Sequence, residues 1–471
     1  MLAASFKRTK IVATIGPSSN SPEVMEDLIK AGANGLRLNF SHGTHEQHGA
    51  VVKLARQISA KHNKPIAIIA DLQGPKIRVS AMPQDGLPFV RGNTVRFKFG
   101  ADFEKDGIIG VQHDVSKYLK AGERIFLRDG MIEVEVESID GMLITGTVLA
   151  PGLLFSNQGM NLPDTDLGGE ILTPKDVADI EFATANDADY IALSFVQTAT
   201  DIINLKERLK KLGSDVQVIA KVETKAAVDN LEEIAQAADG LMVARGDLAI
   251  ETKPEAVPAV QRRMIELGKK YRKPVIVATQ MLESMITSQS PTRAEVSDVA
   301  TAVLEGSDAV MLSGETASGL FPVEVVRMMK RVIVYTEREE SSHKVDRRGE
   351  YAEPARDNAI SAAAVVLARQ LPAKVLIAET ASGQTARNIS SLRPNVPIVM
   401  VTDNRRVYNQ MAIVWGGKSY LHDKPVEASE HVIKLLKDAG NVVAGDSLVL
   451  ASGNQPGVTG GTNMVSIHVV Q

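Results

Sequence analysis

The amino-acid sequence predicts an α/β protein: a closed (β/α)₈ barrel carrying an inserted small all-β domain and followed by a second α/β domain. Three observations lead there. Eight short β-branched runs, each followed by an amphipathic helical stretch, fill most of the first 337 residues. One interval, between the third run and the fourth, is about a hundred residues long, far beyond a normal βα connection. After the charged stretch Glu337–Arg348 the strand and helix alternation resumes. The count of eight suggests a closed barrel, although a doubly wound sheet accommodates the same alternation.

The first unit shows the local logic. Thr9–Ile15 reads as a strand and Gly16-Pro17 as a turn, with Ser21 as N-cap before a proline at the first helical position. Val24, Met25, Leu28 and Ile29 then form one apolar face, and Gly32 ends the helix. Further strands are expected at Gly35–Ser41, Pro65–Asp71, Tyr190–Phe195, Gln217–Glu223, Gly240–Asp247, Pro274–Gln280 and Ala309–Glu315. The insertion, roughly Pro75 to Gln158, reads as short strands (Thr94–Phe99, Arg124–Leu127, Ile132–Val136, Leu143–Val148) punctuated by Gly, Asp and Pro. Glu337–Arg348 reads as an exposed linker. Beyond it come a helix at Ala355–Gln370, strands at Val375–Glu379, Ile398–Thr402 and Leu448–Ala451, and a helix at Ala428–Asp438. The expected domains are therefore 1–74 with 159–337 (barrel), 75–158 (β insertion) and 338–471 (C-terminal α/β).

Composition excludes several classes of function. With 53 basic against 57 acidic residues, a net charge of -4 offers no polyanion-binding surface, so nucleic acid is not an expected partner. No stretch approaches the roughly 20 apolar residues of a membrane span, and Met1–Lys10 has no apolar signal core. The chain lacks cysteine, which removes disulfides and thiolate chemistry and fits a reducing compartment. A cytoplasmic protein is expected.

The chemistry gathers at strand ends. A strand has period two, so Arg37, Asn39 and Ser41 share one face while Leu36, Leu38 and Phe40 share the other. The polar set points toward the barrel axis; buried without partners, each group would cost about 1–3 kcal/mol, which favours the open C-terminal mouth. A salt bridge from Arg37 to a barrel carboxylate is the structural alternative. Lys221 and Glu223 repeat the pattern on the fifth strand, and Asp247 closes the sixth. Two carboxylates from adjacent strand ends make a hard-cation site, with Lys221 available to neutralise a phosphoryl group or an enolate. An internal Lys–Glu pair is the bland alternative. Thr279 and the Ser313/Glu315 pair close the last two strands, where either could also cap a helix. In the C-terminal segment, the hydroxyl-rich loop Glu379–Thr385 between a strand and a helix offers amides and hydroxyls to a phosphate, or is an ordinary capped turn.

Taken together, Thr14–Pro17 (TIGP), Arg37–Gly43 (RLNFSHG), Asp71–Arg78 (DLQGPKIR), Gly159–Pro163 (GMNLP), Ala220–Glu223 (AKVE), Met242–Leu248 (MVARGDL), Ala278–Met285 (ATQMLESM), Pro291–Glu295 (PTRAE) and Met311–Ala317 (MLSGETA) stand in one order along the chain. This set resembles the pyruvate kinase family over essentially the whole sequence, in its potassium-independent, lysine-type bacterial form. The resemblance implies a glycolytic phosphotransferase acting on phosphoenolpyruvate and ADP, built on a TIM-type barrel. Mg2+ or Mn2+ would be held by Glu223 and Asp247. Arg37 and Lys221 would bind the phosphoryl group, and Gly246, Asp247 and Thr279 the substrate carboxylate. Ser313 and Glu315 would lie on the proton-transfer side. Pro17, Arg37, Asn39 and His42 would face the nucleotide. A monovalent-cation site would comprise Asn39, Ser41, Asp71, Lys76 and Arg78. Lys76 stands where potassium-dependent relatives carry glutamate, and Leu72 replaces a hydroxyl residue, so K+ would not be required. An allosteric pocket would use Thr380, Ser382, Gly383 and Thr385. Its second loop, Gly453–Thr462, reads Asn454-Gln455 without bulky aromatic or basic groups, which favours a sugar monophosphate or AMP over a bisphosphate. A homotetramer with two-fold symmetry is expected.

The sequence departs from the family pattern at Gln47, where many relatives have an aromatic, and at Gln158, where a lysine is expected. Two rival readings compete: a metal-dependent lyase acting on phosphoenolpyruvate or pyruvate, and a catalytically silent sugar-phosphate sensor. The insertion counts against the lyase, because a lid suits phosphoryl transfer that must exclude water. The intact Arg37, Lys221, Glu223, Asp247 and Thr279 set counts against the sensor.

Overall fold

The first βα unit forms as its residues dictate. In the computed structural model, which describes residues 6–128, 130–165, 171–342, 356–453 and 460–471, the strand Lys10–Thr14 (β1) is buried throughout. Ser21 Oγ accepts from Val24 N at 3.3 Å, Pro22 opens the helix Pro22–Ala31, and Gly32 closes it at φ +143°. Met25, Leu28 and Ile29 are fully buried on its inner face.

Seven further strands repeat the unit: Gly35–Asn39 (β2), Ala67–Asp71 (β3), Tyr190–Leu193 (β4), Gln217–Val222 (β5), Gly240–Ala244 (β6), Val275–Ala278 (β7) and Ala309–Leu312 (β8). All neighbours are parallel and β8 pairs with β1, so the sheet closes. The doubly wound alternative is thereby excluded. Outward-facing strand residues join the surrounding helices in one large apolar core, and inward-facing Val12, Ile69, Tyr190, Ile219, Met242, Ile276 and Met311 form a second core inside the barrel.

Five strands end two or three residues earlier than the sequence suggests: at Asn39, Leu193, Ala244, Ala278 and Leu312. The cause is local. Arg245-Gly246-Asp247 opens the helix Arg245–Glu251, Gly314 opens Gly314–Ala317, and Thr279 and Gln280 turn left-handed at φ +70° and +53°. The polar residues of the mouth therefore sit on turns whose strands aim them.

Between β3 and β4 lies a six-stranded sheet in the order Met160–Asn161, Arg124–Leu127, Ile132–Asp140, Leu143–Ala150, Thr94–Phe99, Ile109–Val111, with a small two-stranded sheet of Leu87–Phe89 and Gly152–Leu154. It has its own core around Phe97, Ile125, Leu127, Ile132 and Val134. The C-terminal sheet runs Gly417–Leu421, Ile398–Thr402, Val375–Glu379, Ser447–Gly453, Thr462–Val469, parallel except for the last, antiparallel strand. Gly417–Leu421 and Thr462–Val469 have no counterpart in the sequence reading, because each mixes polar and apolar residues without a long β-branched run.

The linker reading needs correction. The helix Pro322–Ser342 continues past residue 337, and Glu337 is 6% exposed, its carboxylate accepting from Arg8 N at 2.8 Å and Thr9 N at 2.6 Å. A charged run can thus hold a buried cap for the chain's first strand; residues 343–348 lie outside the described residues.

The C-terminal region closes the N-terminal end of the barrel. Ala412 and Ile413 pack into the inner barrel core. Tyr190 Oη donates to Gln410 O at 2.9 Å, Lys10 Nζ donates to Gly417 O at 2.6 Å, and buried Arg393 reaches Gly306 O and Asp308 at 2.8 and 2.9 Å. Ile413→Ala is expected to cost about 2–5 kcal/mol, because it empties a site the barrel cannot collapse around. Val443→Ala, at a position 60% exposed, should stay within about 0.5 kcal/mol. Urea midpoints of the two variants check the difference.

Candidate active site

At the opposite end of the barrel, the C-terminal ends of the strands converge on one buried carboxylate. Asp71 ends β3, directly across from Asn39 on β2 and Ala192 on β4, and is 1% exposed. Arg37 Nε donates to Asp71 Oδ2 at 2.6 Å while its Nη1 reaches Thr14 Oγ1 at 3.2 Å. Lys221 Nζ lies 3.2 Å from Asp71 Oδ1 and 3.4 Å from Glu223 Oε2, and donates to Ser194 Oγ at 2.6 Å. Both bland pairings considered from sequence therefore occur, and they occur in one shared network.

Electrostatics follow from that geometry. Burial alone would raise the Asp71 carboxyl, but Lys221 and Arg37 outweigh it and hold it below the usual carboxylate range. Burial would likewise lower Lys221, yet Asp71 and Glu223 keep it raised and charged. Glu223 is pushed up by burial and by the charge of Asp247, with Lys221 opposing. Its Oε1 accepts from Phe195 N at 2.7 Å, whereas Oε2, like Asp71 Oδ1, is buried with no hydrogen-bond partner. A divalent cation between Glu223 and Asp247 would satisfy that orphaned oxygen and remove the repulsion between the two carboxylates, so the donor set fits a hard metal. Among the described residues no group of three or more His, Cys, Asp or Glu could hold a metal ion.

Asp247 stands at the start of the helix Arg245–Glu251, and Lys76 Nζ lies 3.5 Å from its Oδ1. Lys76 is thus on the Asp247 side of the mouth: among the described residues it makes no hydrogen bond or ion pair with Asn39, Ser41 or Asp71. The five residues expected to form a monovalent-cation site are divided. Asn39 Oδ1 accepts from Ser41 N at 3.2 Å, Arg78 Nη1 donates to Asn157 O at 2.9 Å, and Asp71 belongs to Arg37 and Lys221. Leu72 is buried in the outer barrel core.

Thr279 is brought to Gly246. The Gly246 amide, expected to meet a substrate carboxylate, donates to Thr279 Oγ1 at 2.9 Å. Two successive non-glycine residues at positive φ are strained, and Arg245 holds them, donating to Ala278 O and Thr279 O at 3.2 and 2.7 Å while paired with Asp298 at 2.7 Å. Glu315 is 2% exposed, with its oxygens accepting from Leu282 N at 3.1 Å and Ser313 N at 2.7 Å, so it orders the two loops beside Thr279. Pro17 and His42 are exposed, and His42 O accepts from His48 Nε2 at 2.9 Å. Gln47 serves a capping box with Thr44, and Gln158 Oε1 accepts from Phe155 N at 3.0 Å. In the C-terminal loop Gly383 has φ +82°, Arg387 donates to Ser382 O at 3.2 Å, and the hydroxyls of Thr385 and Thr462 meet at 2.5 Å; Thr380 is buried. Asn454 and Gln455 lie outside the described residues.

With the geometry assembled, comparison with known proteins is decisive. The chain matches the family models "Pyruvate kinase, barrel domain" over residues 6–326 and "Pyruvate kinase, alpha/beta domain" over 358–468. The chain belongs to the pyruvate kinase family. It is 39% identical to a pyruvate kinase of Staphylococcus aureus (strain MRSA252), covering 99% of this chain and 81% of that protein. It is also 39% identical to pyruvate kinase 2 of Synechocystis, covering 99% and 80%. A crystal structure of a pyruvate kinase from Cryptosporidium parvum superposes with a TM-score of 0.90 at 32% identity, over 99% of this chain and 96% of that one. The chain is thus a phosphotransferase, and pyruvate kinase activity implies phosphoenolpyruvate and ADP as its substrates. No helix among the described residues is long and apolar enough to cross a membrane.

Sequence reasoning missed Ser194, which holds Lys221, and the support given by Arg245. It also missed Glu251, at the end of the Asp247 helix, whose Oε1 accepts from Asn161 Nδ2 of the inserted sheet at 3.2 Å. Burial raises the Glu251 carboxyl from 4.5 to about 7, with the Asn161 hydrogen bond opposing and Asp247 and Glu223 adding to the rise. Between those values the folded protein keeps a proton that the unfolded chain has lost. This contribution to stability is fully present below about pH 4.5 and is lost as pH rises through 7. Glu251→Gln should therefore flatten the fall in urea midpoint between pH 5 and pH 8 relative to the parent protein.

Proposed function

We propose that this chain transfers the phosphoryl group of phosphoenolpyruvate to ADP with Arg37, Lys221, Glu223, Asp247 and Thr279 as its working residues. The observation that supports this most directly is the buried network in which Lys221 bridges Asp71 and Glu223 at 3.2 and 3.4 Å. Its charges balance: Asp71, Glu223 and Asp247 oppose Arg37, Lys221 and Lys76. A substrate that brings a phosphate and a carboxylate adds negative charge, which explains the need for a divalent ion. Mg2+ or Mn2+ held by Glu223 and Asp247 would supply Lewis acidity toward substrate oxygens. Lys221 neutralises the phosphoryl group and then the enolate, and Arg37 faces the phosphoryl group and the nucleotide beside Pro17, Asn39 and His42. Thr279 and the Gly246 and Asp247 amides orient the substrate carboxylate, with Ser313 and Glu315 ordering the side on which the enolate is protonated. The inserted segment 75–158 acts as a lid over the barrel of 1–74 and 159–337, and 338–471 regulates it. The chain works in the cytoplasm as a homotetramer.

The coupled assay for ADP-dependent pyruvate release tests the reading against a lyase and against a silent sensor. Asp247→Asn should keep the fold and lower turnover by orders of magnitude in Mg2+, with partial recovery in Mn2+. Near-normal turnover in Mg2+ would remove Asp247 from the metal site.

Lys76 replaces a monovalent cation in this reading, delivering a fixed charge from the Asp247 side. The rate should then rise little with K+ over tetramethylammonium at equal ionic strength. Lys76→Glu should lower activity and make part of it K+-responsive, and a many-fold K+ stimulation of the parent enzyme would sink the proposal. At the loop Thr380–Thr385, including Ser382 and Gly383, a sugar monophosphate or AMP acts as activator. Titrating each at subsaturating phosphoenolpyruvate, beside fructose 1,6-bisphosphate, tests this; a response to the bisphosphate alone refutes it.

A further inference from the structure

The inserted domain leaves the barrel and returns to it through two segments that pair with each other. Arg78 and Gly159 form an antiparallel bridge, Met160 N donates to Ile77 O at 2.9 Å, and Val79 N donates to Gln158 O at 3.0 Å. A Cβ on Gly159 would stand 3.3 Å from Lys76 Cε, so the two segments touch beside the barrel. This ribbon rests on one helix, Arg245–Glu251. Asp247 and Glu251 are four residues apart, so their side chains share one face of it. Lys76, on the outgoing segment, lies 3.5 Å from Asp247 Oδ1; Asn161, on the returning one, donates through Nδ2 to Glu251 Oε1 at 3.2 Å. Beside Glu251, Ile250 meets the hairpin that joins Arg124–Leu127 to Ile132–Asp140, its Cγ1 lying 3.3 Å from where a Cβ of Gly130 would stand.

The opposite end of the same helix is fixed to the substrate side of the mouth. Arg245 holds Ala278 O, Thr279 O and Asp298, the Gly246 amide donates to Thr279 Oγ1, and Leu248 is fully buried in the outer barrel core. Seven residues span only about 10 Å, so the last turn and the first move together. Stability alone does not account for Glu251. Its carboxylate is partly buried, and among the described residues it is hydrogen-bonded to the neutral Asn161 amide and paired with no cation. Asn161 is 6% exposed and spends its side chain on this one bond. An apolar pair at these positions would avoid the cost of taking a carboxylate and an amide out of water.

We propose that Glu251 and Asn161 are positioning residues for phosphoryl transfer: their hydrogen bond fixes the base of the inserted domain on the helix Arg245–Glu251, and the helix carries that setting to Asp247 and the Gly246 amide. Both act through Asp247, so the inference rests on the reading of Asp247 as a metal ligand given above.

Steady-state kinetics at pH 8, with calorimetric titration of Mn2+ into each full-length variant, test the assignment. Glu251→Ala and Asn161→Ala should each lower kcat/KM for phosphoenolpyruvate about tenfold or more and weaken Mn2+ binding by a similar factor, since each removes a hydrogen bond to a carboxylate. The double variant should be no worse than either single one, because both remove the same contact. Glu251→Gln, whose carbonyl oxygen still accepts from Asn161, should stay within about threefold of the parent enzyme. Asn161→Asp sets a second carboxylate against Glu251; it should be at least as impaired as Asn161→Ala, and it keeps the test open if Glu251→Ala fails to fold. Effects that multiply in the double variant, a loss in Glu251→Gln equal to that in Glu251→Ala, or alanine variants with unchanged kcat/KM and Mn2+ binding overturn the proposal. Asp247→Asn tells this failure from that of the reading beneath it. If Asp247→Asn loses Mn2+ binding while both alanine variants keep it, only the positioning role falls; if Asp247→Asn keeps Mn2+ binding, the metal assignment falls and the positioning role with it.

Discussion

Asp71 is a carboxylate at the end of a barrel strand, almost wholly out of water, and it is tolerable there only because two cations reach it, Arg37 from the adjacent β2 and Lys221 from β5. Removing either partner would leave an uncompensated buried charge, a change that typically costs about 3–5 kcal/mol. The rest of the mouth is arranged around this requirement. Arg37 is drawn inward and braced on Thr14; Lys221 is held between Asp71, Glu223 and Ser194; Ser194 in turn donates to Leu72 O at 2.7 Å. Arg37 and Lys221, the groups proposed to meet a charged substrate, are thereby held in place in advance, which is the condition for electrostatic stabilisation without reorganisation.

The same network sets the Glu223 and Asp247 carboxylates side by side, each raising the cost of the other's charge. Glu223 gives one oxygen to Phe195 N and leaves the other buried and unsatisfied, facing Lys221 at 3.4 Å. Asp247, less buried, begins a helix whose far end contacts the inserted sheet through Glu251 and Asn161. Movement of the inserted sheet would thus be felt along one short helix by the residue expected to hold the metal. Lys76 adds a second route, since it leaves β3 on the connection into the insertion and approaches Asp247 from that side.

The two ends of the barrel obey opposite rules. At the mouth, polar side chains converge and pair in charge with one another, leaving Asp71 Oδ1 and Glu223 Oε2 without a hydrogen-bond partner. At the other end, Ala412 and Ile413 fill the interior, and Tyr190, Lys10 and Arg393 bond to backbone carbonyls that the closing elements offer. A plug of this kind makes the C-terminal sheet part of the barrel's own core, so that the two regions share stability.

Much of the architecture was legible in the chain because it depends on local chemistry. β-branched runs, N-caps such as Ser21, and terminating glycines such as Gly32 predict βα units eight times over, and the length of one interval betrays the insertion. Period two placed Arg37 and Asn39 on one face and Lys221 and Glu223 in one cluster, and short motifs indicated the family. What the sequence could not decide was partnership between distant residues. That Lys76 would reach Asp247 and not Asn39, that Glu337 would be buried as a cap for β1, that Ser194 would brace Lys221, and that Ile413 would seal the barrel all depend on through-space distances between segments tens to hundreds of residues apart. Closure itself belongs with these: each βα unit is locally determined, but whether the last strand meets the first is settled by the summed twist and stagger of eight strands, a property of the tertiary structure alone.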